Sequence, residues 1–411
     1  MTSTEQQQVV AGGCTDRSIL DAHNDPERFR KLVRNWLTTA ISADWRAEIA
    51  AADEEKQIAF QHRWFAKLSS IGMTSAHWPS AWGGADLGIA QQIIFYEELA
   101  RAKAPNTSAF VISLNQVPAT VFSAGTREQK DRFIVGVLAG EVWCQGFSEP
   151  NAGSDLAAIR TSAIRKNGMY VVNGQKIWTS NGHFANYCLL LARTDPESSR
   201  HRGLSLFAMD MASVGITVRQ IQQCNGQAEF NELFLDDVEI PAENLIGEEG
   251  KGWMISQSTL SAERGLIVFE LAERFRCFIS EVLAEARNGA AWWNDDQYRR
   301  EFMRAYADAE ALKLMTKSML EDGAEEVEMA GQYVPMYVKL HYAQLLQRFG
   351  ELMVRIHGLE GQELRADVST NGSPGGNWMF DYLSSWAWTI AGGTNEIIRN
   401  IIAERVLGLP R

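Results

Sequence analysis

The sequence predicts an α+β multidomain protein in which a helical region, a region of antiparallel strands and a second helical region follow one another. Three observations support this fold class. Apolar residues recur at helix spacing up to about residue 141, short β-prone runs replace them between 142 and 248, and long periodic runs return from 249. No β-α-β unit repeats along the chain, which argues against a Rossmann fold or a parallel barrel.

These changes of pattern divide the 411 residues into four predicted segments. Residues 1–24 are polar and aperiodic and predict a flexible tail. Residues 25–141 predict an N-terminal α-helical domain, 142–248 a middle, barrel-like antiparallel β domain, and 249–411 a C-terminal α-helical bundle domain. A chain of this length can bury the cores of two or three domains.

Two amphipathic runs predict helices in the N-terminal domain, R-F-R-K-L-V-R-N-W-L and I-A-Q-Q-I-I-F-Y-E-E-L-A-R-A. Between them, Pro79, Gly83 and Gly84 predict a break. A further helix is expected after Gly125, with Thr126 as its N-cap.

Asparagine–glycine pairs predict hairpins in the middle domain. Asn167-Gly168 and Asn173-Gly174 each stand between short β-prone runs, which is a strong local signal for a tight turn. Further strands are expected at Y-C-L-L-L-A-R-T, G-L-S-L-F-A-M-D, G-I-T-V-R-Q-I and F-N-E-L-F-L-D-D-V-E-I.

The C-terminal region is predicted to consist of long helices. The periodic runs are W-M-I-S-Q-S-T-L-S-A-E-R-G-L-I-V-F-E-L-A-E-R-F, E-A-L-K-L-M-T-K-S-M-L and Y-V-P-M-Y-V-K-L-H-Y-A-Q-L-L-Q-R-F-G-E-L-M-V-R-I-H-G. Residues 366–377, rich in Gly, Ser and Asn, predict a loop, and a last helix is expected to start near Thr394.

The overall charge limits the classes of ligand. A net charge of -12 argues against a general binder of nucleic acid or anionic membranes, because those partners favour a basic surface. A polyanionic small ligand held by a local Arg or Lys remains compatible with this charge.

Cysteine usage and the N-terminus indicate the compartment. The cysteines are odd in number and never spaced as C-x-x-C, so free thiols in a reducing compartment are expected, without zinc or disulfides. No apolar run approaches the ~18 residues of a membrane span, and the N-terminus does not have the pattern of a signal peptide. The expectation is a cytoplasmic protein. The cysteines are Cys14, Cys144, Cys188, Cys224 and Cys277.

Common catalytic motifs do not occur. The sequence has no G-x-G-x-x-G after a strand, no P-loop, no H-E-x-x-H and no G-x-S-x-G. Its seven histidines form no pair at helical ligand spacing, so no metal site is expected.

The stretch from Trp143 to Asn181 predicts a site for a planar, phosphate-bearing cofactor. Its N-A-G-S-D segment, Asn151 to Asp155, is expected to expose backbone N–H groups that would donate hydrogen bonds to a pyrophosphate, or it is simply a helix N-terminus. Trp178 and Ser180 end a strand, where an indole and a hydroxyl suit a flavin, or they are plain core.

Glu263 is the candidate general base. On a helix it shares an apolar stripe, and burial on such a stripe raises the pKa of a carboxyl group, which is how a base is tuned. The alternative is a border position at which Glu263 reaches water beside Arg264. The stripe consists of Ile255, Leu260, Leu266, Ile267 and Leu271.

Together these segments resemble the acyl-CoA dehydrogenase family over nearly the whole chain. Four motifs occur in the family's order: F-S-E-P-N-A-G-S-D-L, G-Q-K-I-W-T-S-N, S-A-E-R-G and G-G-T-N-E-I-I-R-N-I-I-A-E-R-V-L-G-L-P-R. The resemblance implies an N-terminal helical domain, a middle antiparallel β domain and a C-terminal four-helix bundle. It also implies bound FAD and assembly as a dimer or a dimer of dimers.

The resemblance implies FAD contacts from the middle domain and from the C-terminal domain. Trp178 would cover the flavin ring and Ser180 would reach its N5 and O4 edge. The other residues implied at FAD are Gln145, Phe147, Ser148, Ser154, Arg355, Thr394 and Glu396. The first four of these would line either the flavin and its diphosphate or the neighbouring thioester.

The position of the base follows from the resemblance as well. Many members carry a glutamate immediately before the G-T of the last motif, but here that residue is Gly392. A minority, including isovaleryl- and long-chain-type enzymes, place the glutamate on a bundle helix before an arginine, which matches Glu263 and Arg264. Arg264 and Ser154 are then expected to contact the substrate.

The implied reaction is the dehydrogenation of an acyl-CoA thioester to the 2-enoyl-CoA. Glu263 would remove the α-proton while the backbone N–H of Gly392 and a flavin ribityl hydroxyl bind the thioester carbonyl. The β-hydride would pass to flavin N5, and electrons would leave through an electron-transfer flavoprotein.

Two departures from the family pattern fall on the part of the FAD site that a neighbouring subunit supplies. The R-x-x-F-G motif is replaced by E-A-R-N-G-A-A-W-W-N-D-D, and Q-x-x-G-G is replaced by R-I-H-G-L from Arg355. They favour a divergent adenine site or a heterotetramer with a homologue, and a bulky, for example steroid-derived, CoA ester as substrate.

Two alternatives to this function stay open. One is a flavin-dependent monooxygenase or oxidase on the same fold. The other is a non-catalytic partner subunit of a heteromeric acyl-CoA dehydrogenase.

Overall fold

The computed structural model describes residues 15–50, 52–198, 200–262, 266–322, 333–364 and 374–410. The chain divides into two compact units. The β unit comprises residues 1–17, 54–86 and 107–263, and the helical unit comprises 18–53, 87–106 and 264–411. The predicted N-terminal segment therefore contributes helices to both units.

The helices differ widely in length, and the longest lie in the C-terminal part. In chain order they are α1 (Pro26–Ala40), α2 (Trp45–Ala50), α3 (Glu54–Ser70), α4 (Ile89–Arg101), α5 (Val117–Ala124), α6 (Arg127–Gln129), α7 (Val135–Leu138), α8 (Gly252–Ala262), α9 (Leu266–Arg287), α10 (Asp296–Asp322), α11 (Val334–Gly361), α12 (Trp378–Ile390) and α13 (Asn395–Ile401).

The β unit is built on one sheet. Its strands are β1 (Trp143–Gly146), β2 (Ser162–Lys166), β3 (Met169–Ser180), β4 (Tyr187–Arg193), β5 (Leu204–Asp210), β6 (Ile216–Ile221), β7 (Phe230–Pro241) and β8 (Leu245–Ile246). They lie in the order β6-β7-β3-β2-β4-β5-β8, and β1 pairs with β4 beside this path. The four strands predicted after the hairpins are confirmed as β4 to β7.

The sheet of the middle region is antiparallel, as predicted, except at two places. β1 runs parallel to β4, with Trp143 opposite Tyr187, and β2 touches β4 in parallel at Ser162 and Arg193. β1 enters the sheet from the preceding helices without a hairpin, so no local turn sets its direction.

One of the two predicted Asn–Gly turns is confirmed and the other is wrong. Asn167 and Gly168 have φ values of 51° and 80° and connect β2 to β3 as a tight turn. Asn173 and Gly174 instead lie inside β3, where the β3–β7 register shifts. Gly174 takes a φ of 157°, but the extra residue lies on β7, where Asp236 and Asp237 both face Asn173. β7 therefore bulges and β3 continues without reversing.

The core of the helical unit is formed by α9, α10 and α11, with α12 packed against α11. Phe275, Phe302 and Phe349 are buried at its centre, one from each helix. This arrangement agrees with the predicted helical bundle. α4 packs on α9, and α1 packs on α4 through buried Phe29 and Val33, as the amphipathic runs predicted.

A charged cluster holds α1 against α4. The carboxylate of Glu98 is almost wholly buried and accepts bonds from Arg30, Arg34 and Arg101 at 3.1, 2.7 and 2.8 Å. Although burial alone would raise it, these guanidinium groups bring the pKa of Glu98 down to about 2.

The predicted helix starts are confirmed. Thr126 caps α6 in a capping box with Gln129, and Thr394 caps α13 by accepting the N–H of Ile397. Among the helices of the described ranges, none is both long and apolar enough to cross a bilayer. Cys144, Cys188, Cys224 and Cys277 are free thiols, as predicted, whereas Cys14 lies outside the described residues.

Candidate functional site

Two segments that were predicted to line FAD lie side by side in the β unit. The first leaves β1 at Gly146 and continues through Phe147 and Ser148, and the second is the end of β3. The N–H of Ile177 donates to the carbonyl oxygen of Ser148 at 2.9 Å. The structure therefore brings the predicted residues Ser148 and Trp178 into neighbouring positions.

Trp178 stands out from the strand that carries it. Its φ of 62° is left-handed, and the β3–β7 register shifts between Lys176 and Thr179. As a result the Trp178 side chain is 56% exposed, whereas Thr179 is buried. A left-handed backbone at a bulky non-glycine residue costs about 1–3 kcal/mol, and such strain tends to cluster at functional sites. An exposed indole in this position offers a flat face that fits a flavin ring.

The other predicted residues of this segment differ in exposure. Phe147 is buried, Gln145, Ser148 and Ser180 are half-buried, and Ser154 is exposed. Ser154 follows a turn in which Glu149 and Ala152 exchange backbone hydrogen bonds. The helix expected after N-A-G-S-D is a single 3₁₀ turn, Leu156–Ala158. The half-buried hydroxyls are the kind of donors that the polar edge of a flavin requires.

A buried lysine, which the sequence interpretation missed, joins the two segments. Lys176 of β3 is 0% exposed and donates to the carbonyl oxygen of Phe147 at 3.0 Å and to Glu149 Oε1 at 2.9 Å. Burial lowers the pKa of Lys176 to about 8, although the Glu149 carboxylate opposes this shift. Lys176 has the same strand alternation as the buried residues Tyr170 and Val172, which places it on the inward face of β3. The sequence pattern could therefore have shown that this lysine is buried.

The second predicted part of the site is a turn in the helical unit. α12 ends at Ile390, and the chain passes through Gly392 and Gly393, with φ values of 65° and 94°, to the N-cap Thr394. Lys339 of α11, also buried, donates to the carbonyl oxygen of Gly393 at 2.8 Å. The turn thus lies at a helix N-terminus, where the helix dipole favours negative charge.

Two of the predicted FAD contacts in the helical unit have partners within the chain. Glu396 is exposed in the first turn of α13 and pairs with Arg399 at 3.1 Å. Arg355 of α11 pairs with Glu301 of α10, and this hydrogen bond lowers the pKa of the Glu301 carboxyl group. Arg355 is therefore held by a carboxylate of its own unit.

The predicted base, Glu263, and the predicted substrate contact Arg264 lie outside the described residues. α8 ends at Ala262 and α9 begins at Leu266. Of the predicted apolar stripe, Ile255 and Leu271 are buried and Leu266 and Ile267 are half-buried. Within the described ranges, no group of three or more His, Cys, Asp or Glu side chains is placed to hold a metal ion.

Profiles of three domains of one protein family match the chain in order. The acyl-CoA dehydrogenase N-terminal domain matches residues 23–141, the middle domain 144–238 and the C-terminal domain 250–407. Together they cover most of the 411 residues.

Individual relatives agree with these profiles. The chain is 38% identical over 396 residues to acyl-CoA dehydrogenase IpdE1 of Mycobacterium tuberculosis, covering 94% of this chain and 98% of that protein. It is 35% identical over 379 residues to acyl-CoA dehydrogenase FadE34 of the same organism, covering 89% of this chain and 48% of that longer protein.

Solved structures show the same fold. The structure of the Tcur3481-Tcur3483 steroid ACAD superposes with a TM-score of 0.80 at 26% identity, covering 94% of this chain and 98% of the other. The ChsE4-ChsE5 complex from Mycobacterium tuberculosis gives a TM-score of 0.77 at 28% identity, covering 94% and 98%. With three profiles in order and an identity of 38% along nearly its whole length, this chain belongs to the acyl-CoA dehydrogenase family, the FAD-dependent oxidoreductases that act on acyl-CoA.

Proposed function

We propose that this protein catalyses the α,β-dehydrogenation of an acyl-CoA thioester to the 2-enoyl-CoA, with Glu263 as the base. The observation that carries this proposal is the turn before α13. Many family members carry the catalytic glutamate at this turn, but here the position is Gly392 in a left-handed conformation. Since the turn has no carboxylate, the base is assigned to Glu263, which precedes Arg264 as in the minority of members.

The chain's own residues supply the proton chemistry. The Glu263 carboxylate takes the α-proton, while the backbone N–H of Gly392 donates to the thioester carbonyl oxygen, on which negative charge develops. Lys339 keeps the turn in place through the Gly393 carbonyl oxygen. Bound FAD supplies the acceptor for the β-hydride.

The proposed FAD contacts fall into two groups. In the β unit, Trp178 stacks on the ring system and Ser180 binds its edge, which the exposed indole and the Ile177–Ser148 hydrogen bond support. The remaining proposed contacts are Gln145, Phe147, Ser148 and Ser154 in the β unit, and Arg355, Thr394 and Glu396 in the helical unit. Ser154 and Arg264 are proposed to contact the substrate.

The proposed substrate is a bulky, ring-bearing acyl-CoA. A structural neighbour bears the description steroid ACAD, and the chain departs from the common family pattern at E-A-R-N-G-A-A-W-W-N-D-D. This segment ends α9 and forms the 3₁₀ turn Ala291–Asn294. In such a role the enzyme takes part in a β-oxidation sequence and passes electrons to an electron-transfer flavoprotein.

The proposed assembly is a heterotetramer with a homologue, or else a homodimer or homotetramer. Two of the similar solved structures, the Tcur3481-Tcur3483 steroid ACAD and the ChsE4-ChsE5 complex, are each named for two components. In addition, Arg355, which stands where the family pattern Q-x-x-G-G has its glutamine, already pairs with Glu301. The free buried thiols Cys144 and Cys188 support a reducing compartment, for which the cytoplasm is proposed.

The function is tested by anaerobic titration of the purified flavoprotein with straight-chain, branched and ring-bearing acyl-CoAs. The oxidised flavin band is expected to bleach with the ring-bearing substrates. Glu263→Gln is expected to retain flavin but to bleach about 10²–10⁴-fold more slowly, because a positioned base contributes this much. Glu239→Gln, an exposed glutamate on β7, is the matched control and should behave as the unmodified protein.

Three outcomes would contradict parts of the proposal. Bleaching of Glu263→Gln at the unmodified rate would rule out this base. Sustained oxygen consumption with substrate and no other acceptor would identify an oxidase or monooxygenase. A colourless protein that acquires flavin only when a homologue is co-expressed would identify a partner subunit.

A further inference from the structure

The interior of the β unit contains an ion pair that the dehydrogenation chemistry does not use. Lys176 is wholly buried, and the side chain of Glu149 is 10% exposed. Taking two charges out of water costs several kcal/mol, and a well-packed apolar pair of similar volume is often at least as stable. Stability alone therefore does not account for this pair.

Between them, the two side chains bind backbone groups of two separate segments. Lys176 Nζ donates to the carbonyl oxygen of Phe147 at 3.0 Å. The Glu149 carboxylate accepts the N–H groups of Arg160 and Thr161 at 2.7 and 2.8 Å. The pair thus ties the segment after β1 to β3 and to the entry of β2.

These bonds lie directly beside the exposed indole. Lys176 is the last residue of regular β3–β7 pairing before the shift that gives Trp178 its left-handed backbone. On the facing segment, Phe147 and Glu149 flank Ser148, whose carbonyl oxygen accepts the N–H of Ile177. A displacement of Lys176 would move both Ser148 and Trp178.

We propose that Lys176 and Glu149 are a positioning pair, which fixes Ser148 and Trp178 in the arrangement that receives the flavin ring. The inference rests on the proposed placement of FAD against these two residues. Lys176 does not touch the cofactor in this scheme. It acts through the Phe147 carbonyl oxygen and through Glu149, and its position sets the bulge that turns the indole outward.

The test compares Lys176→Met, Glu149→Gln and the double variant. The readouts are the Kd of the apoprotein for FAD, the visible circular dichroism of the bound flavin and the thermal unfolding temperature. Lys176→Met is expected to weaken FAD binding roughly tenfold or more and to change the flavin dichroism, because a site that is loosely supported loses its geometry. Lys166→Met, an exposed lysine at the end of β2, is the matched control.

The double variant separates positioning from stability. Removing both charges leaves no unpaired buried ion, so its unfolding temperature should recover toward that of the unmodified protein. Its FAD affinity and flavin dichroism should stay altered. A double variant with unmodified FAD affinity and dichroism would overturn the positioning role. Measurements on the double variant therefore decide the question even if Lys176→Met alone does not fold.

A Trp178→Leu variant separates this inference from the proposed placement of FAD. If Trp178→Leu leaves the flavin dichroism and Kd unchanged, the placement is wrong and the inference falls with it. If Trp178→Leu changes them and Lys176→Met does not, only the positioning pair is refuted. Changes in both variants support the pair.

Discussion

Lys339 plays in the helical unit the part that Lys176 plays in the β unit. It is buried, and it donates to the carbonyl oxygen of Gly393 at 2.8 Å and to Asn395 Oδ1 at 3.2 Å. Both acceptors flank the capped start of α13. Lys339 therefore ties α11 to the turn that precedes α13.

Lys339→Met is expected to lower kcat about 10- to 100-fold while KM for acyl-CoA changes little. The reason is that a displaced Gly392 N–H would stabilise the negative charge of the transition state less, whereas it contributes little to binding the neutral ground state. Loss of one such donor lowers kcat by up to about 10³-fold. Steady-state kinetics with the best substrate of the titration panel provide the measurement.

Lys31→Met, an exposed lysine on α1, serves as the control for this prediction. A Lys339→Met protein whose kcat equals that of the control would show that the turn keeps its position without the lysine. A large rise in KM alone would place the Gly392 N–H in ground-state binding instead.

The distance along the sequence between donor and acceptor decides which of the hydrogen bonds in the structure could be predicted. Thr126 and Thr394 cap helices through residues three positions away, so the motif itself reveals them. Lys176 and Lys339 find their acceptors 27 and 54 positions away. Alternation indicated that Lys176 points inward, but nothing local named its partner.

At the scale of elements, the two Asn–Gly pairs show the limit of a local motif. Asn167 and Gly168 both take positive φ values, as a tight hairpin turn requires. Asn173 instead keeps an extended backbone and bonds with its side chain to Asp237 of β7 at 2.9 Å. The dipeptide is the same in both places, and pairing with β7 decides the outcome.

Gly174→Ala is expected to destabilise the β unit by about 2–3 kcal/mol, the upper range for forcing an extra carbon into a packed site. A Cβ at Gly174 would lie 2.4 Å from Thr161 Oγ1 and 2.7 Å from Thr161 Cα, so the backbone of the β2 entry would have to move. Urea unfolding followed by far-ultraviolet circular dichroism measures the change.

Gly153→Ala is the matched control for this steric prediction, because a Cβ there meets no atom within 4 Å. It should unfold within about 0.5 kcal/mol of the unmodified protein, as surface substitutions usually do. Equal stability of the two alanine variants would show that the bulge relaxes without cost.

At the scale of the whole molecule, the order of helical and β regions was predictable, whereas the partition into compact units was not. Periodicity reports the type of each element, and it identified the helices of 25–141 correctly. It does not report which elements pack together. For this reason it did not predict that α1 and α4 belong to the unit of the C-terminal helices, whereas α3 and α5 belong to the unit of the sheet. The boundaries after residues 141 and 248 remain predictions.

The two units are expected to respond to opposite ends of the pH scale. Glu98 has a pKa near 2 in the folded helical unit against 4.5 in the unfolded chain, so its contribution is present above pH 4.5 and is lost as the pH falls toward 2. Lys176 has a pKa of about 8 against 10.5, so its own contribution to the stability of the β unit should rise between these two pH values.

Amide hydrogen exchange resolved by peptide measures each unit separately. Glu98→Gln should remove most of the acid dependence of peptides from α1 and α4, and Lys176→Met should remove the alkaline rise in peptides from β2 and β3. If the acid dependence persists unchanged in Glu98→Gln, other carboxylates dominate it.

The parallel pairing of β1 with β4 has a consequence for the order in which the protein folds. The paired residues Lys166 and Met169 of the β2–β3 hairpin are joined by a single tight turn, whereas a much longer stretch of chain separates Trp143 from its partner Tyr187. This longer closure costs on the order of 2 kcal/mol more chain entropy. As the ribosome releases the chain, we therefore expect the β2–β3 hairpin to form first and β1 to join the sheet late. If FAD binds against the Phe147–Glu149 segment as proposed, we expect the nascent chain to bind flavin only at a late step of its maturation.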